Sequence, residues 1–477
     1  MAAQNVQSFF SLPYQSAGIA YTTDRFVAGG RNMPKSLWTD TVSLPEFTPL
    51  QGDKKTDVLV IGGGLCGILC TYFLRQAGVD CLLVERNRIA SGATKNTTAK
   101  LTSQHGLIYD KLIRSLGTER AAWYLDANEK ALEQYRNFCQ NIDCDFEEKS
   151  AFVYALRDRE KIEREVQAVN RLGFPAEFAE HLPLPFDTVG AVRFPHQAQF
   201  HPLKFLAGIV KGLPIYEHTF VRNIEGKTAI TLQGRITAEQ IIVATHFPFL
   251  NRHGSYFLKL YQHRSYVLAL EQAAQVDGMY LDEAQGGLSF RNAGGLLLLG
   301  GGSHRTGKQG EGWQELERFA ASAYPQAREV YRWAAQDCMS LDGVPYIGRY
   351  AASTPNLYVA SGFHKWGMIS SMAAAILLCD LVQHRSNPWT ELFSPQRSMM
   401  HPQLFYNVAE ATKNLLTPTV RRCPHMGCAL KWNAQEHTWD CPCHGSRFEQ
   451  DGTLIDNPAK KDTKHWKLPQ IPTEKNG

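Results

Sequence analysis

The chain has 477 residues, 44% of them hydrophobic and 20% charged, the composition of an ordinary globular protein. That excludes a disordered or fibrous chain, and 50 Lys and Arg against 46 Asp and Glu leave a formal charge of +4 with no basic block to mark a nucleic-acid footprint. The longest apolar run in the C-terminal part, 372–382, is interrupted by Asp380 and falls short of the roughly 20 residues of a membrane-spanning helix. With no secretory signal in residues 1–24, the cytoplasm is the expected location. Eleven Cys are too few for a disulfide scaffold, and four of them crowd into 423–443, which points to a metal centre.

Residues 1–55 form an N-terminal arm. Asp57 to Ile61 is then a short β-branched run that stops at three glycines and reads as a buried parallel strand. Residues 65–76 have helical spacing, Gly78 ends that helix, and 80–85 is a second strand, which completes a βαβ unit. Gly62, Gly64 and Gly67 form G-x-G-x-x-G where strand meets helix. The first permits the tight turn, the second lets a pyrophosphate approach the backbone, and the third lets helix pack closely on strand. Glu85, 18 residues beyond Gly67, is placed to accept hydrogen bonds from an adenosine ribose. It argues against a 2'-phosphate and leaves NAD and FAD open.

Residues 107 to about 171 are rich in Glu, Arg, Lys, Leu and Ala and read as a helical insertion. Between 191 and 299 the texture turns to short strands, 228–232, 240–244, 265–270 and 295–299, of a mixed or antiparallel sheet. Residues 357–379 run strand, glycine turn and small-residue helix, a second place where backbone approaches a ligand closely. Residues 384–418 read as linker, and no internal repeat is found.

Four stretches separate NAD from FAD. Arg86 with Ser91 to Lys100, which holds Thr94 and Thr98, resembles the segment of the D-amino acid oxidase, glycine oxidase and sarcosine oxidase family that runs from the adenosine under the flavin. Gln240 to His246, with Ala244 and Thr245, resembles its strand that returns to the FAD. Asp342 to Gly348 resembles its D-G-x-P-x-I-G signature, and Gly362 to Met368, with Gly367, its C-terminal flavin loop. The resemblance runs from Thr56 to about Leu381 and implies an α/β fold: a Rossmann-type FAD-binding domain (about 56–106, 190–250 and 336–383) and a mixed-sheet substrate domain (about 107–189 and 251–335). The Lys that family members often use to hold a substrate carboxylate has Ile369 at the nearest position, which weakens an amino-acid substrate. Lys365 and Trp366 stand inside the loop where the family has small residues, so Lys365 is expected to place a cation against the flavin. Arg264, Tyr266 and Arg291 are candidate substrate contacts; His105 and His201 are assigned no role.

Cys423-Pro-His425-Met-Gly-Cys428 and Cys441-Pro-Cys443-His444-Gly-Ser446 pair two Cys and two His in short loops, a donor set that suits tetrahedral zinc or an iron-sulfur cluster. The extra Cys, the Gly near each pair and the terminal Ser resemble the Rieske [2Fe-2S] family. By that resemblance Cys423 and Cys441 hold one iron and His425 and His444 the other, Cys428 and Cys443 form a disulfide between the loops, and Ser446 donates to cluster sulfur. Phe448 stands where the respiratory type has Tyr, which implies a lower potential. The small all-β Rieske domain, 419–470, lacks strands before its first ligand and is expected to lean on the flavoprotein body or another subunit.

The expected activity is a dehydrogenase that oxidises a small amine or amino-acid-like substrate at FAD and passes electrons singly through the cluster to a protein or small acceptor. Two alternatives stand beside it: the cluster feeds electrons to FAD, or it is a redox or iron sensor on a flavin oxidase.

Overall fold

The structure, a computed structural model, describes residues 34–463, so most of the N-terminal arm and the end of 419–470 lie outside the described residues. The strand Lys54–Ile61 pairs in parallel with Cys81–Val84 on one side and Arg235–Val243 on the other. Its last four residues are buried, as a parallel strand covered on both faces requires. The helix Leu65–Gln76, apolar over most of its surface, packs against Gly367–Val382 to cover one face. The sheet continues as 346–349, 357–361, 235–243, 54–61, 81–84 and 215–216, with the ribbon 223–225 and 228–230 on the 235–243 strand.

A second, nine-stranded mixed sheet runs in the order 328–339, 261–271, 296–305, 289–293, 279–282, 147–155, 190–199 and 100–101, with 177–179 paired to 190–199. Among its pairs only 279–282 with 147–155 is parallel. Below it lies a four-stranded antiparallel sheet, 431–433, 438–440, 447–448 and 454–456, which carries the two Cys- and His-bearing loops. Among the described residues no helix is long and apolar enough to cross a membrane.

The structure corrects three boundaries. Residues 107–171 are not all helix: Glu147–Ala155 is an interior strand of the nine-stranded sheet. Residues 190–199 and 336–339, expected in the FAD-binding part, also belong to that sheet. Alternation of apolar residues marks a strand without saying which sheet receives it. Residues 384–418 are not a plain linker, because Trp389–Phe393 is a short helix that buries Trp389, Leu392 and Phe393, and Pro402–Leu416 is a second helix.

Candidate functional site

The first βαβ turn is built for close backbone approach. A Cβ on Gly62 would stand 2.5 Å from the Ala244 carbonyl oxygen, and one on Gly67 1.9 Å from the Gly62 carbonyl oxygen. Strand, turn and helix therefore meet with no space for a side chain, which brings the helix N-terminus close to the turn. Thr94 Oγ1 accepts from Leu65 N at 3.1 Å, so the downstream segment folds back onto that terminus. Glu85 is half-buried just past the second strand and accepts from Gly63 N (2.7 Å) and Asn87 N (2.8 Å); desolvation raises its pKa while those two bonds oppose the rise. Arg86 lies 5.0 Å over the Phe220 ring, and Thr98 is half-buried beside Ala99. This cradle fits a dinucleotide pyrophosphate.

At the other end of the sheet, Gly362 (φ +73°) closes the strand Leu357–Ser361 and Gly367 opens the helix Gly367–Val382. Gly348 (φ +137°) leaves only 3.3 Å between a would-be Cβ and Pro395 Cδ. His364 and Lys365 between them both have positive φ, +49° and +71°, a conformation costly for side-chain-bearing residues and found where function demands it. The Lys365 side chain is accessible although protein packs around it. Its Nζ donates to Ser303 Oγ at 2.6 Å; burial lowers its pKa and Asp337 pulls it back up. Asp337, opposite His263 in the strand register, is raised by burial and drawn down first by Lys365, then by His246. His263 is pushed down to about 3 by burial and Lys365, so it is neutral there. Sequence reasoning missed Asp337 and His263, because strand alternation does not reveal which side chains will meet Lys365.

The other candidates lie elsewhere. Arg264 donates from Nε to Glu436 Oε1 at 2.9 Å and from Nη2 to Glu436 Oε2, and Tyr266 donates to Glu436 Oε1 at 3.1 Å. Both were expected as substrate contacts, and both are instead taken by a carboxylate of the cluster domain. Arg291 spends Nη1 on the Ala99 carbonyl (2.7 Å) and lies over the Trp38 ring. His105 is held by the Tyr124 hydroxyl and the Thr102 carbonyl and stacks on Trp366; His201 caps the helix Pro202–Ile209.

In the small domain, the Nδ1 atoms of His425 and His444 are 3.2 Å apart with their rings perpendicular. Two nitrogens bound to one metal at about 2.1 Å and a tetrahedral angle would be about 3.4 Å apart, so the pair is arranged around a common ion. Their outer Nε2 atoms end on the flavoprotein body, His425 on Asn251 Oδ1 (3.0 Å) and His444 on the Phe257 carbonyl (3.0 Å), which fixes Nδ1 as the inward atom. Burial pushes His425 down to about 4 and His444 to about 3, the neutral form a metal needs. Cys423 and Cys441 are buried with their thiols hydrogen-bonded to each other; that bond lowers Cys441, helped by N–H groups of 443–445. Ser446 hydrogen-bonds the Cys423 thiol. Cys428 and Cys443 are joined as a disulfide, so although their sulfurs lie within 4.8 Å of Cys441 Sγ they have no thiolate to offer. Two thiols and two imidazoles thus converge, as a Cys₂His₂ cluster requires.

Residues 57–381 match the family model of FAD dependent oxidoreductases, and 402–471 match the Rieske [2Fe-2S] domain. The chain belongs to the FAD dependent oxidoreductase family. A Bacillus subtilis (strain 168) protein, YhfW, named as a Rieske 2Fe-2S iron-sulfur protein, is 34% identical over 503 residues, 92% of this chain and 98% of its own length. Gamma-glutamylputrescine oxidoreductase of Escherichia coli (strain K12) is 24% identical over 379 residues, 71% of this chain and 86% of its own. Among solved structures, glycine oxidase from Geobacillus kaustophilus shares the fold with a TM-score of 0.62 at 20% identity, over 72% of this chain and 100% of that one. The protein is an FAD-dependent oxidoreductase with a Rieske [2Fe-2S] cluster.

The FAD dependent oxidoreductase body and its Rieske domain meet through buried polar contacts. Gln262 Nε2 donates to the His444 carbonyl (2.7 Å), Gln336 Nε2 to the Gly445 carbonyl (2.9 Å), and Arg305 to the carbonyls of Pro442 and Cys443. In return Asn457 Nδ2 donates to the carbonyls of Thr245 (2.7 Å) and Phe247 (2.9 Å). Phe247, fully buried, lies edge-on to both cluster imidazoles at centroid distances of 6.4 and 6.1 Å. Gln262, Gln336, Arg305, Asn457 and Phe247 were not expected from the sequence, since each gains its role only through a partner far along the chain.

Proposed function

We propose that this chain oxidises a small amine or amino-acid-like substrate in its substrate domain and hands the electrons one at a time through the Rieske domain to an external acceptor, as a cytoplasmic dehydrogenase. FAD, when bound, takes two electrons as a hydride, whereas a [2Fe-2S] cluster carries one. The observation that carries the reading is the seating of the second ligand loop, 441–446, wholly buried on the flavoprotein body, with Phe247, three residues past the Ala244 against which Gly62 turns, edge-on to the cluster histidines. The names of glycine oxidase and gamma-glutamylputrescine oxidoreductase support C–N bond oxidation. Gly62, Gly64 and Gly67 with Thr94 would hold the pyrophosphate, Glu85 the ribose, and Gly362 and Gly367 the flavin end. Lys365 supplies a cation at the turn between Gly362 and Gly367, steadied by Ser303 and balanced by Asp337.

Anaerobic titration with small primary and secondary amines tests this. In the wild type, substrate alone should bleach the flavin bands and raise the rhombic EPR signal of a reduced Rieske cluster. Cys441→Ser should keep the bleaching, lose the EPR signal, and slow turnover with a one-electron acceptor at least about tenfold. Bleaching that never reaches the cluster supports a sensor, and a cluster reduced only by an added donor reverses the current; either result defeats the proposal. Lys365→Met is expected to slow bleaching by about 10²-fold, the usual cost of removing one fixed electrostatic stabiliser, with FAD content unchanged. Rapid-mixing absorbance at 450 nm, about the visible flavin maximum, reads it.

A further inference from the structure

The two ligand loops are unequally covered. Every residue of 441–446 is buried, whereas in 423–428 Pro424, His425 and Gly427 are half-buried and Met426 is 41% exposed. Among the described residues the cluster site is therefore enclosed on the side of the second loop and more open on the side of the first. Around that loop the chain gathers apolar side chains that no described residue covers: Leu415 at 44%, Leu416 at 76% and Val420 at 89% exposed. They form one surface with Met426, because Arg422 ties the segments together by donating to the carbonyls of Leu415, Thr417 and Gly427. A would-be Cβ on Gly427 stands 3.9 Å from Leu415 Cδ2. An exposed apolar patch rimmed by charge marks an interaction site.

The rim is cationic. Lys413 and Lys431 are exposed on either side, Arg422 lies between them, and the sole carboxylate in 402–432, Glu410, is buried and paired with Lys308. A small diffusible oxidant needs no apolar patch, whereas a protein carrier needs contact area near the cluster and opposite charge to steer it there.

We propose that this face, Leu415, Leu416, Val420 and Met426 with Lys413 and Lys431, is the docking surface for an acidic one-electron carrier protein and the point at which electrons leave. This rests on the outward flow proposed above. One electron passes from the reduced cluster to the carrier's metal, and no bond is made or broken.

The test uses the holoenzyme, reduced anaerobically with dithionite and desalted, so that no substrate is involved. The probe is an acidic blue-copper protein, whose Cu(II) is reduced to Cu(I), with a basic c-type cytochrome for contrast. The wild type should oxidise faster with the acidic probe, and that rate should fall about tenfold or more between low and high ionic strength. Lys413→Glu/Lys431→Glu and Leu416→Asp/Val420→Asp should each slow it about tenfold at low salt, while Lys54→Glu/Lys55→Glu, the same charge change on an exposed strand start, should not. Titration with the zinc-substituted, redox-inert blue-copper protein should show the same order in affinity. Equal rates and affinities in all variants, or preference for the basic cytochrome, would overturn the proposal. So would sedimentation that shows Leu416→Asp/Val420→Asp dissociating a dimer, since a second copy would then cover the patch. Failure of substrate to reduce the cluster would defeat only the underlying flow, because these electrons come from dithionite.

Discussion

Glu436→Gln is expected to lower the stability of the folded protein by about 3–5 kcal/mol, the range for breaking a buried ion pair from one side. Glu436 is the hub between the domains: it takes both donors of Arg264, the Tyr266 hydroxyl, Arg447 Nη2 (2.8 Å) and Asn433 Nδ2 (3.2 Å). Arg447 keeps Asp440 and Asp456 when the charge is removed, but Arg264, 3% exposed, has no other ion pair among the described residues. Urea denaturation followed by circular dichroism should show the loss, and Arg264→Met in the same chain should recover part of it. The pH dependence follows with a definite sign. Burial alone would raise the Glu436 pKa, but Arg264 and then Arg447 outweigh it and hold it down at about 2. Its folded pKa therefore lies below the unfolded value of about 4.3, and its contribution, about 3 kcal/mol, is complete above pH ~4.3 and lost as pH falls toward 2. Glu436→Gln should accordingly flatten the acid limb of a stability profile measured from pH 6 to 2.

Gly67→Val should give a protein that purifies without FAD. The Cβ alone would sit 1.9 Å from the Gly62 carbonyl oxygen, a backbone atom, so the helix must move off the strand or the turn must open. Overpacking of this kind costs about 3 kcal/mol, and taken wholly from cofactor affinity that is about a hundredfold. Absorbance at 450 nm, about the flavin maximum, per mole of protein reads the loss. The cluster should persist in the variant, because its four ligands and Ser446 lie outside the βαβ unit, and dithionite EPR checks that directly.

The parts legible in the sequence are those written in local code. A strand, a glycine turn, a helix and an acid within about 30 residues declare a dinucleotide cradle because every role is set by chain neighbours. The Cys and His spacing around 423 and 441 is equally local. Arg264 and Tyr266 were misread because alternation along a strand says which face a side chain takes and not what will be pressed against that face; their partner is 170 or more residues away. The helix Pro402–Leu416 looked like linker because its outward face carries few charges and its inward face is polar, with Asn407, Glu410 and Asn414 buried. Pro402 at the first turn after His401 was the available start signal.

The hydrogen bonds that seat the cluster loop also impose an order of manufacture. Gln262 reaches the His444 carbonyl across 182 residues of chain, and Arg305 reaches Pro442 across 137. The carbonyls of the ligand loop find these donors only after strands 261–271 and 296–305 are built, so a ribosome releasing the chain from its N-terminus completes the socket before the plug emerges.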